Sequence, residues 1–193
     1  MKKNLLILSS AILAGLGIYF AISIILPDSF VPEKFMEARI KGAELAYNIA
    51  ELSNSSLKTL EQIEEKDRQG KNSEALDLAS QELLKTLETR QQAIKLSSQL
   101  EKMARSLQDI KPAQARVLAT EAVSSEVALV SRLLSYNDYL GQLFETLRAK
   151  FQSNEDTNGK VQKLLNDIND EAKAINDLNK KFTDSLEEFD KMF

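Results

Sequence analysis

The chain has 193 residues, with 25 Lys+Arg against 29 Asp+Glu and no Cys, His or Trp. Without His or Cys there is no Ser-His-Asp or Cys-His nucleophile, and no imidazole or thiolate ligand for zinc, copper or haem, so neither catalysis of that kind nor a cofactor is expected. Six Gly and three Pro are too few for a sheet-and-turn architecture or for low-complexity disorder.

Residues 4–26 read NLLILSSAILAGLGIYFAISIIL and carry no charge. At about 1.5 Å per residue the run reaches roughly 34 Å, enough to cross a hydrocarbon core of about 30 Å. It predicts a transmembrane anchor holding the chain in a lipid bilayer. Ala21-Ile22-Ser23 offers small residues to a signal peptidase, and cleavage there would give a secreted form. The run is longer than a usual signal-peptide core, which favours the retained anchor. Lys2 and Lys3 precede it, so the N-terminus is expected in the cytoplasm and the rest outside, in a single pass; Lys34, Arg39 and Lys41 pull the other way. Lys2 and Lys3 carry +2 and residues 4–26 carry none, so the total of −4 leaves −6 on residues 27–193. That excess of acid excludes an extended basic face for nucleic acid.

Residues 27–32 contain Pro27 and Pro32 and read as a short stiff spacer. From Glu33 the sequence is helical in character, with three interruptions. Gly70 can end one helix, with Asn72 or Ser73 capping the next. Pro112 suits the first turn of another. Residues 153–159, SNEDTNG, have loop composition. The predicted helices are 33–68, 73–110, 112–152 and 159–191, within an extracytoplasmic domain 33–193.

Apolar residues recur at three and four along each helix, as one buried side requires. In the first they include Met36, Ile40, Ala43, Tyr47, Ala50, Leu57, Leu60 and Ile63. The second offers Leu76, Ala79, Leu83, Leu87 and Ile94, then Leu96, Leu100, Met103 and Leu107. The third has a broader band from Val117, Val123, Val127 and Val130 to Phe151, as a more central helix would. The fourth runs from Val161 through Ile168 and Ile175 to Phe189 and Phe193. The expected fold is all-α: an N-terminal transmembrane helix followed by an antiparallel four-helix bundle of long helices. In that topology the Pro112 turn and the C-terminus lie at the bilayer end, and Gly70 and the SNEDTNG loop at the far end.

Tyr136-Asn137-Asp138-Tyr139 forms a polar and aromatic patch midway along the third helix. Tyr136, Asn137 and Tyr139 are the candidate partner or ligand contacts, since tyrosines supply rigid amphipathic area at interfaces. The plainer alternative packs one tyrosine with its hydroxyl satisfied and turns Asn137 and Asp138 to water. The fourth helix repeats Asn166-Asp167 at Asn176-Asp177. These read as a solvated face with Asn at seam positions, because the calcium loop pattern with its glycine and closing Glu is missing. Together these features predict a membrane-anchored scaffold or interaction module that is not an enzyme. A protein partner, or self-association through the helices, is expected. The alternative is a ligand-binding, sensor-type bundle acting through a membrane partner.

Overall fold

A computed structural model describes residues 30–153 and 157–193. The expected anchor at 4–26 lies outside the described residues; among those described, no helix is long and apolar enough to cross a membrane. The described chain is all-helical, with four long helices packed against one another: α1 Glu33–Arg68, α2 Asn72–Ser106, α3 Ala113–Ser153 and α4 Asn158–Asp190.

Local chemistry explains where each helix stops. Gly70 adopts φ 70°, and its N–H donates to the Asp67 carbonyl at 3.0 Å while the Lys71 N–H reaches Lys66 at 2.9 Å. This pair of bonds satisfies carbonyls that the end of α1 would otherwise leave open, and glycine takes the left-handed conformation without a Cβ penalty. Lys71 then starts α2 directly, its carbonyl accepting from Ala75 N–H at 3.1 Å. The expected side-chain cap from Asn72 or Ser73 is therefore not formed, because α2 already includes both residues. Across this turn Lys66 and Glu74 form an ion pair, and the Lys66 hydrogen bond holds the Glu74 carboxyl below the ordinary value.

The predicted second helix runs to residue 110, but α2 ends at Ser106 and tightens into a 3-10 turn, Leu107–Asp109. Pro112 accounts for the difference. It disfavours the α conformation in the residue before it, so the chain must leave the helix earlier. Ile110 is extended and fully buried, and the Lys111–Pro112 peptide is cis. Lys111 pairs with Phe30 through two backbone bonds of 2.9 and 3.1 Å, binding the chain's approach to α1 onto the α2–α3 turn.

Cross-helix contacts run in opposite senses along the first two consecutive pairs. Lys66 meets Glu74 and Ser56 meets Glu82 between α1 and α2; Arg90 of α2 meets Asp138 of α3, and Gln108 in the 3-10 turn after α2 meets Arg116 of α3. The backbones approach closely in the three consecutive pairs, whereas α1 and α4 meet mainly through long side chains. At one end Phe35 and Phe189 stack with centroids 5.8 Å apart, and Phe193 follows at 5.0 Å from Phe189. Beside them Arg39 donates two 2.7 Å bonds to the Asp190 carboxylate. Asp67 and Lys150 pair at 2.5 Å at the other end.

The two-pronged Arg39–Asp190 clasp is largely shielded from water, with both side chains 13% exposed. Truncating Arg39→Ala leaves a shielded carboxylate without its partner and is expected to destabilise the bundle by about 2 kcal/mol. Lysine supplies one point charge instead of a fork, so Arg39→Lys should recover only part of that loss. Urea denaturation of the three proteins measures both effects.

The core faces differ from the expected stripes in α1 and α2. In α1 the buried side is Phe35, Ala38, Gly42, Ala46, Ile49, Ala50, Ser53, Ser56, Thr59, Leu60 and Ile63, so Ala50, Leu60 and Ile63 of the expected stripe are inside while Tyr47 and Ile40 face out. In α2 the buried side is Ala75, Ala79, Glu82, Thr86, Thr89, Ala93, Leu96, Leu100 and Met103, while Leu87 and Ile94 face out. Small residues let helix backbones come together: a Cβ on Gly42 would sit 3.5 Å from the Leu96 side chain. Close α1–α2 packing thus selects alanines, glycine and serines over the bulkier leucines beside them. The expected broad band of α3 loses Val117 and Val127 to solvent but keeps Val123, Val130, Leu143, Phe144 and Leu147.

Candidate functional site

The three candidate contacts on α3 have different surroundings. Tyr136 is fully buried, and its hydroxyl has no hydrogen-bond partner among the described residues. Burial pushes that phenol well above its ordinary value, so it remains a neutral donor facing apolar neighbours. Asn137 is also buried, and its side-chain amide donates to the Thr86 carbonyl of α2 at 2.9 Å. Tyr139 is half-buried against the core. Asp138 alone is turned to water, where it pairs with Arg90 at 2.5 Å. The plainer alternative therefore holds for a packed tyrosine and for Asp138 at the water, and fails for the Tyr136 hydroxyl and for Asn137. Gly141, one turn on, lies beside Thr86 and admits this close approach of α2 and α3.

Asn137 joins a polar layer that the leucine pattern conceals. Glu82 of α2 is 1% exposed; its carboxylate accepts from Ser56 Oγ at 2.6 Å and Lys85 Nζ at 2.5 Å. Lys85 also reaches Ser55 Oγ at 3.2 Å. Thr86 and Thr89 return their hydroxyls to carbonyls of their own helix. The layer joins α1, α2 and α3 with directional bonds, which fix register where apolar contacts alone would slide. One feature of the sequence marks it: the buried spacing of four and three in α2 passes unbroken through Glu82, Thr86 and Thr89.

Glu126 of α3 is the second buried acid. It is 3% exposed, and Oε2 has no partner among the described residues. Desolvation alone raises its pKa from 4.5 to about 7, with no neighbouring charge contributing. On α4, Asn166 and Asp177 are exposed whereas Asn176 and Asn179 are half-buried, as a solvated face beside a seam requires. Among the described residues no group of three acidic side chains is placed to hold a metal.

A cavity of about 30 Å³ lies near the Gly70 end between α1, α3 and α4, lined by Leu60, Ile63, Leu147, Phe151 and Leu165 with Asp67 at its edge. Its size is that of a water site, an order of magnitude below the ~300 Å³ at which small-molecule pockets begin. Neither Tyr136, Asn137 nor Tyr139 lines it. Compared with known protein families, curated proteins and solved structures, the chain finds no match.

Proposed function

We propose that this chain is a membrane-anchored helical scaffold that works by presenting its bundle surface to a protein partner, without catalysis. The observation that supports it most is the arrangement of the chain's ends. Phe30 pairs with Lys111 and Phe35 stacks on Phe189, so the start of α1, the α2–α3 turn and the C-terminus share one end of the bundle. Residues 4–26, uncharged and long enough to span a bilayer, precede that end by only a few residues. An anchor there projects the bundle from the membrane, with Gly70 and the end of α3 at Ser153 farthest from it. The buried polar layer serves this reading as a register device that keeps one rigid surface on display. In the proposed topology the N-terminus is cytoplasmic and the bundle is outside.

Alkaline carbonate extraction of membranes tests the anchor. Full-length protein should stay in the pellet and a chain lacking residues 1–26 should be released. Release of the full-length protein would remove the membrane part of the proposal. Protease added to sealed cells or inverted vesicles then reports on which side the bundle lies.

A further inference from the structure

A second apolar stripe runs along α2 beside its core face, half-buried at Leu76 and at Leu83, which packs against the core, and exposed at Leu87 and Ile94. Leu76, Leu83, Leu87 and Ile94 recur at intervals of seven, four and seven. At 100° per residue they fall within about 40° of one another, and roughly 100° from the centre of the buried stripe. Leu84 flanks them at 69% exposure, with Leu87 at 59% and Ile94 at 57%. These are the three most exposed large apolar side chains among the described residues, and no described helix covers them.

We propose that this stripe is the seam of a homodimer in which α2 packs antiparallel against α2 of a second copy. The stripe is self-complementary about a point beside Leu84 and Lys85. In the antiparallel register, Leu76 lies opposite the partner's Ile94 and Leu83 opposite the partner's Leu87. Ser80 lies opposite the partner's Arg90, and Leu84 meets the partner's Leu84 near the two-fold axis. The flanking charges agree with this register. Asp77 and Lys95 sit on one side of the stripe, and each Asp77 faces the partner's Lys95, an opposite-charge pair made twice by symmetry. A parallel pairing would instead set Arg90 against the partner's Arg90 in the seam, which like-charge repulsion opposes.

The seam covers about 27 Å of helix. Val127 of α3 is exposed on the side of that helix that carries Asp138, next to α2, and extends the apolar area. The dimer is expected to be reversible, with a dissociation constant on the order of micromolar. The pairing names a partner for the interaction module proposed above, but rests on α2 alone and stands without the anchor. Because the pair runs head to tail, the residue-30 ends lie at opposite ends of the dimer. Anchored copies with upright bundles therefore associate across facing bilayers.

The chain contains no Cys, so an introduced thiol is unique. Full-length protein in detergent, carrying Leu76→Cys, Leu84→Cys or Ile94→Cys, is oxidised and run on a non-reducing gel. The antiparallel seam predicts dimers of Leu84→Cys with itself and of Leu76→Cys mixed with Ile94→Cys, and none of Leu76→Cys with itself. Both crosslinks should fall at least fivefold when Leu87→Asp is added, with helical circular dichroism unchanged. A Leu76→Cys self-crosslink as the dominant product would overturn the antiparallel pairing. Sedimentation of the unaltered protein is the second measurement: a monomer at roughly 100 µM, far above a micromolar constant, would overturn the dimer. Failure here leaves carbonate extraction unaffected, so loss of the dimer and loss of the anchor are distinguishable.

Discussion

Phe144→Ala is expected to destabilise the bundle by about 3–5 kcal/mol, the largest effect of any single truncation considered for this fold. The ring is fully buried in α3, the helix that packs on both α2 and α4, so its removal opens a cavity that no single helix can close by shifting. Tyr47→Ala provides the contrast. Tyr47 also falls on an apolar stripe, but it is 51% exposed and its truncation should change stability by less than about 0.5 kcal/mol. Urea midpoints with a common slope measure both. Equal losses at the two positions would mean that the core of α1 faces the other way.

The second large effect is a dependence on pH through Glu126. Its folded pKa is raised to about 7 from 4.5. Below pH 4.5 the carboxyl is protonated in both folded and unfolded chains, and the residue contributes no pH dependence. Between those values the unfolded chain releases its proton and the folded chain keeps it, so stability falls as pH rises. Above 7 the loss is complete, because a buried carboxylate is ionised without a partner. The shift of about 2.5 units corresponds to about 3 kcal/mol. Denaturation at pH 5 and pH 8 should therefore show the wild type weaker at pH 8 by that order. Glu126→Gln keeps the shape, removes the titration and should abolish most of the difference. A wild-type profile as flat as that of Glu126→Gln would show that the site is hydrated or that the carboxylate finds a partner.

Both effects concern residues whose placement differed in legibility. Phe144 could be assigned to the core because it belongs to a broad apolar band with Leu143 and Leu147. Glu126 could not, since an acid between Ala122 and Val130 is ordinarily placed on the wet side of a helix. Tyr136 and Asn137 stood out in the sequence as chemically distinctive. Their environment was not legible, because adjacent helix positions diverge by about 100° and only the neighbouring helix decides which are covered. Both proved to be inside, with Asn137 bound to α2 and the Tyr136 hydroxyl without a partner among the described residues.

The sequence by itself determined the helical class and the places where helices break. Gly70 and Pro112 act through their own backbone restrictions, which require no distant partner. Tertiary structure alone decided which side of α1 and of α2 is the core. The first two helices carry two stripes at spacings of three and four, and periodicity ranks neither. The choice fell to distance: Ala75, Ala79, Gly42 and Ala46 allow α1 and α2 to approach closely, and that approach turns Leu87, Ile94 and Tyr47 outward. Close packing over two long helices outweighs the transfer of a few leucines from water, since it places many more atoms in contact.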